Sequence, residues 1–225
     1  MSARTLPLLT LALGIATLIA FIALGSQPAM SGVFARSDIC SAFSDSQRAE
    51  TPADIAAVFG SPPDARRIAA MDALNRLDLW AFVPAYLLFL SAAAVMLGGL
   101  RNRWTQLAML FAVIGATADA VETWKQLQLT ADIANVEAHL PIAPWHWIKY
   151  FALALNGVAV ASLCITAPNR RWILAVIALA PILFVAAAYV ELLSTRAFAG
   201  AFTIYWIALL VLAAIQSVRG KDASA

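Results

Sequence analysis

The chain has little charge and almost no cysteine. Asp, Glu, Lys and Arg make up 12% of its 225 residues, and Cys occurs only at Cys40 and Cys164. So little charge, with 62% hydrophobic residues and a mean hydropathy of +0.80, excludes an ordinary soluble domain, in which about a quarter of residues are charged. Two cysteines exclude a disulfide-built scaffold and a thiolate metal cluster. HExxH, GxSxG, P-loop and dinucleotide-binding patterns are missing, so no named reaction is signalled. A net charge of +2 without a basic patch excludes nucleic acid as a partner. The alternating pattern of a membrane β-barrel is missing too.

Long apolar runs are what the chain has instead. A transmembrane helix needs about 20 consecutive mainly apolar residues, and six segments qualify: 6–25, 79–100, 104–120, 147–167, 172–190 and 197–216. The fold class is therefore all-α, a polytopic helical membrane protein with about six transmembrane helices in a single integral domain over residues 1–225. The first run ends in the small residues of 23–26, as a secretory signal would. It is longer than the roughly 7–15 apolar residues of a signal-peptide core and only Arg4 precedes it, which favours a retained anchor.

Basic residues in short loops set the orientation. With the N-terminus inside, the inner side holds Arg4, Arg101, Arg103, Arg170, Arg171, Arg219 and Lys221 against Asp222 alone, and the outer side holds eight basic residues against twelve acidic ones. Both termini are then cytoplasmic, in the manner of a bacterial inner-membrane protein, and the 26–77 loop is extracytoplasmic. Cys40 and Cys164 fall on opposite sides of the membrane, so no intramolecular disulfide is expected. Cys164 reads as a small buried hydrophobe, while Cys40, on the oxidising side, is available for a mixed or intermolecular disulfide.

Within that loop Thr51-Pro52-Ala53-Asp54 predicts a helix start with proline in the first turn. Gly60 and Pro62-Pro63 predict its end. Asp64 starts a second helix, which is expected to run on into the second span. These short amphipathic helices would pack over the bundle mouth or lie on the membrane. The loop at 126–146 contains Pro141 and Pro144 and is not expected to be a continuous helix.

Polar residues inside the spans define the candidate site, since ionisable groups near a bilayer are costly without partners or water. Asp119, Glu122 and Gln126 are spaced three and four apart and share one helix face. His146, Lys149 and Asn156, spaced three and seven, form the facing stripe on the next span. Asp78 enters the same layer, with Pro84 and Tyr86 deeper; Glu191, Ser194 and Arg196 border it from the last connection. Opposite charges predict pairing of Lys149 with Asp119 or Glu122, and Lys125 is a local alternative for Glu122. The expected result is an outward-opening polar cup above an apolar, aromatic floor.

Such a cup would take a membrane lipid or a small amphiphile. As an enzyme acting on a lipid headgroup or ester, the chain would use Asp119 or Glu122 as base or as ligand to a divalent ion, Lys149 to stabilise developing negative charge and His146 as proton shuttle. As a structural or assembly subunit, it would use the same charges to hold a partner helix. His139 and His146 stand seven apart across a proline-containing loop, which defines no metal geometry, and no cofactor is indicated.

Three stretches together carry a family resemblance: RLDLWAFVPAY at 76–86, ADAVETW at 118–124 and HWIKY at 146–150. In these the chain resembles a group of small uncharacterised bacterial polytopic membrane proteins, over about residues 54–167. In that group an acidic entry to one span precedes a D-x-x-E pair and then a lysine. The resemblance implies that Asp78, Asp119, Glu122 and Lys149 act as a set, and it implies no activity. Thr123 stands where the group's pattern has asparagine.

Overall fold

The structure is a computed structural model that describes residues 5–26, 32–34 and 39–222. The side chains of 39–41, 195–196 and 219–222 lie outside that description. Of the residues singled out above, Arg4 and the side chains of Cys40, Arg196, Arg219, Lys221 and Asp222 therefore fall outside the described residues.

Among the described residues there is no β-strand, and the chain is built from α1 (Thr5–Gly25), α2 (Ile39–Gln47), α3 (Pro52–Phe59), α4 (Ala65–Leu77), α5 (Val83–Gly98), α6 (Arg103–Ala131), α7 (Ala143–Thr166), α8 (Trp172–Tyr189) and α9 (Thr195–Asp222). Among the described residues six helical stretches are long and apolar enough to cross a membrane: Thr5–Gly25, Ala65–Gly98, Arg103–Ala131, Ala143–Thr166, Trp172–Tyr189 and Ala197–Val218. The protein is thus an all-helical polytopic membrane protein. Two of these stretches, Ala65–Gly98 and Arg103–Ala131, are about twelve residues longer than the apolar runs suggested. The third has 29 residues, or about 44 Å at 1.5 Å per residue, against a hydrocarbon core of about 30 Å. The polar residues after Ala120 continue this helix rather than ending it.

The chain divides into two compact units. The first comprises residues 1–18, 85–115 and 150–225. Here α8 packs along α9, and Gly157 of α7 lets backbone approach backbone, because a Cβ at this position would collide with the carbonyl oxygen of Ala178. The turn between α5 and α6 uses Gly99 at φ +71°, where the amide of Gly99 donates to Val95 O at 2.8 Å; the left-handed conformation favours glycine here. Asn102 then starts α6 by accepting from the amide of Trp104 at 2.9 Å.

The second unit comprises residues 19–84 and 116–149 and holds the cap formed by α2, α3 and α4. Thr51 and Asp54 form a reciprocal capping box at α3 with Pro52 in its first turn, as the sequence predicts. Helix α3 stops at Phe59, with Gly60 at φ +92°, and Asp64 caps α4 by accepting from the amide of Arg66. Arg67 donates to Val58 O at 2.9 Å, satisfying a carbonyl at the end of α3. The cap has its own apolar core, in which Ile55, Phe59, Met71 and Leu74 pack with Leu129 of α6 and Ile142. Ala49 O accepts from the amides of Ile142 at 2.9 Å and Ala143 at 3.4 Å, tying the start of α7 to the link between α2 and α3. The segment is a packed cover, not a loose surface helix.

A buried ionic cluster beneath the cap

Three elements of the second unit bring the charged residues together. The first is the passage from α4 to α5, a π-helical turn over Asp78–Phe82. Pro84 has no amide proton and its ring opposes a regular helical turn before it. The chain widens there, and the amide of Val83 donates five residues back, to Asp78 O. Such wide turns are frequent at functional sites. Asp78 is 4% exposed, and its Oδ2 accepts from the hydroxyl of Thr123 at 3.0 Å.

The other two elements are α6 and α7. Their stripes meet as the spacing predicts. Lys149 Nζ lies 3.0 Å from Asp119 Oδ1 and 2.9 Å from Glu122 Oε2. His146 Nδ1 lies 3.9 Å from Glu122 Oε1, and the His146 ring meets Trp147 edge-on at 5.1 Å. Gln126 Nε2 donates to Glu122 Oε1 at 3.3 Å, and Gln126 Oε1 accepts from Ser46 Oγ of α2 at 3.3 Å. Asp119, Glu122, His146 and Lys149 are all buried, none more than 4% exposed.

The expected open cup is corrected by this geometry. The ammonium of Lys149 occupies the space between the two carboxylates, and the cap packs on α6 beyond them. The reason is the length of α6, which runs nine residues past Glu122 to Ala131 and so places the charges within the helix rather than at its mouth.

Not every sequence-predicted residue joins. Asn156 donates to Ala108 O at 2.8 Å and accepts from Tyr205 Oη at 2.9 Å, so its amide is engaged elsewhere within the first unit. Tyr86 is fully buried there, with its ring 5.3 Å from that of Trp206. Glu191 and Ser194 are exposed on the α8–α9 connection. His139 pairs with Asp132 at 3.5 Å, whereas His146 turns to Glu122. Among the described residues no group of three His, Cys, Asp or Glu side chains is arranged to hold a metal ion. Cys164 is a buried free thiol.

Thr123, marked in the sequence only as a departure from the resembled group's asparagine, joins the cluster as the donor to Asp78. Its signal was its position, one turn beyond Asp119 on the same stripe. Ser46, which reaches Gln126 from the cap, gave no local signal.

Chemically, the cluster gathers three carboxylates, one ammonium and one imidazole in a site remote from water. With the carboxylates ionised and the imidazole neutral it would carry two negative charges in excess. A buried excess of charge is strongly disfavoured, and such a group neutralises by holding protons or recruiting a cation. No family model, characterised protein or solved structure matches the chain.

Proposed function

We propose that this chain is an integral protein of the bacterial cytoplasmic membrane, with both termini cytoplasmic and the cap extracytoplasmic, whose working centre is a proton-holding ionic cluster. One observation carries the reading: Asp78, Asp119 and Glu122 converge, all buried, with Lys149 as the ammonium among them. Ionisable residues within membrane-spanning helices commonly serve proton relays and coupled binding. In this centre a change in proton number alters the balance of attraction between α6 and α7, so protonation and helix packing are linked.

Infrared spectroscopy of the purified protein at neutral pH tests this. The expected result is a protonated-carboxyl C=O band that is lost in at least one of Asp78→Asn, Asp119→Asn and Glu122→Gln. A wild-type spectrum without that band would refute the reading.

A second reading, binding of a lipid or small amphiphile, is favoured by a different feature. A groove of about 510 Å³ in the second unit is lined by Glu50, Pro52, Glu137, Leu140, Pro141 and Pro144. Its two carboxylates and apolar walls suit an amphiphile with a cationic headgroup. Native mass spectrometry after gentle extraction should then show a bound amphiphile that is lost in Glu50→Gln/Glu137→Gln. Headgroup chemistry at Asp119 and Glu122 would require Lys149 to swing away first.

A further inference from the structure

Between the cap and α6 lies a second, much smaller cavity, with Ser46, Asn75, Gln126 and Thr130 among its lining residues. It leaves about 10 Å³ for the centre of a water-sized sphere, close to the roughly 10–15 Å³ that one water needs. Asn75 is 1% exposed, and its Oδ1 is buried without a hydrogen-bond partner among the described residues. Leaving a buried acceptor unsatisfied is costly, so something should donate to it.

The surrounding side chains are short of protons to give. The one hydroxyl proton of Ser46 faces two acceptors, Phe43 O at 2.8 Å and Gln126 Oε1 at 3.3 Å. That of Thr130 faces Asp72 Oδ1 at 2.6 Å, Gln126 O at 3.0 Å and Leu127 O at 3.2 Å. If Ser46 serves its nearer acceptor, Gln126 Oε1 joins Asn75 Oδ1 in needing a donor. A molecule the size of water, with two protons, meets both demands.

We infer that this cavity is a single-water site, in which the water donates to Asn75 Oδ1 and Gln126 Oε1 and ties cap helix α4 to α6. The site stands on volume and donor count alone. One consequence rests on the function proposed above: Gln126 also holds Glu122, so the water lies one side chain from the ionic cluster and gives it a hydrated neighbour on the cap side.

Radiolytic hydroxyl labelling of the intact protein in ¹⁸O water tests the site, because a bound water activated in place labels the buried side chains beside it. Phe59 and Leu129 line the cavity and are 2% and 1% exposed. They should be labelled severalfold faster than Phe89 and Leu90, each 1% exposed. Equal rates would overturn the inference. In Asn75→Leu the difference should vanish and thermal stability should fall, since a satisfied hydrogen-bond set is broken; a rise in stability would mean a dry cavity and an acceptor better removed. Should Asn75→Leu fail to fold, the wild-type labelling decides alone. Failure here leaves the carboxyl infrared band untouched, so the two proposals fail separately.

Discussion

Lys149 Nζ lies 2.9 Å from Glu122 Oε2, with both side chains at most 4% exposed. The contact joins the second turn of α7 to the C-terminal half of α6. A buried pair of this kind is weak evidence for net stability, yet losing one partner is costly because the other charge stays behind.

Lys149→Met should therefore destabilise the protein by about 3–5 kcal/mol. Adding Asp119→Asn and Glu122→Gln to it should recover much of that loss, because the stranded charges go too. Thermal unfolding in detergent, compared across the single and triple variants, measures the difference. A triple variant less stable than Lys149→Met would contradict the pairing.

Thr123→Val should cost about 1–3 kcal/mol by leaving Asp78 without its hydroxyl donor. Thr123→Ser keeps the donor and should stay close to wild type. The contrast between the two is read from the same unfolding curves, and equal loss in both would assign the effect to packing.

Pro84→Ala restores the amide whose absence the π-helical turn accommodates. The turn should tighten toward regular α-helix, turning Asp78 away from Thr123. Hydrogen exchange across residues 82–86 should slow, and a following Thr123→Val change should then cost less than in the wild type.

The capping box of α3 gives a pH dependence outside the membrane-spanning segments. Amide donation from Glu50 and then Thr51 holds the Asp54 carboxyl below its ordinary value of 3.8. A carboxylate lowered on folding adds stability above its unfolded pKa and loses it as pH falls through the folded one. The stability gap between wild type and Asp54→Asn should be full at neutral pH, shrink below about pH 4 and close in stronger acid. Asp54 is exposed, so the gap is small and best resolved by hydrogen exchange in α3.

Much of this structure was legible in the chain. Hydropathy marked all six spans, and the i, i+3 spacing of Asp119 with Glu122 and of His146 with Lys149, together with opposite charge, placed the ion pairs. Thr51, Pro52, Asp54 and Asp64 declared α3 and α4 through local capping chemistry, whereas α2 carried no such signal. What stayed hidden depends on contacts distant in sequence. Polar residues after Ala120 read as the end of a span, but the cap covers them and α6 continues. Asn156 kept the correct helical face for the cluster, yet Ala108 and Tyr205 claim it. Ser46 and Asn75 acquire meaning only once α2 and α4 are folded over α6.

The carbonyl of Ala49, which receives the amides of Ile142 and Ala143, carries one more implication. A main-chain oxygen is indifferent to which side chain its residue bears, so the rotational setting of α7 is insulated from point substitution. It is vulnerable to changes of length. One residue inserted between Ala143 and His146 would turn the rest of the helix by about 100°, carrying imidazole and ammonium together away from Glu122 while every side chain in the protein remained the same.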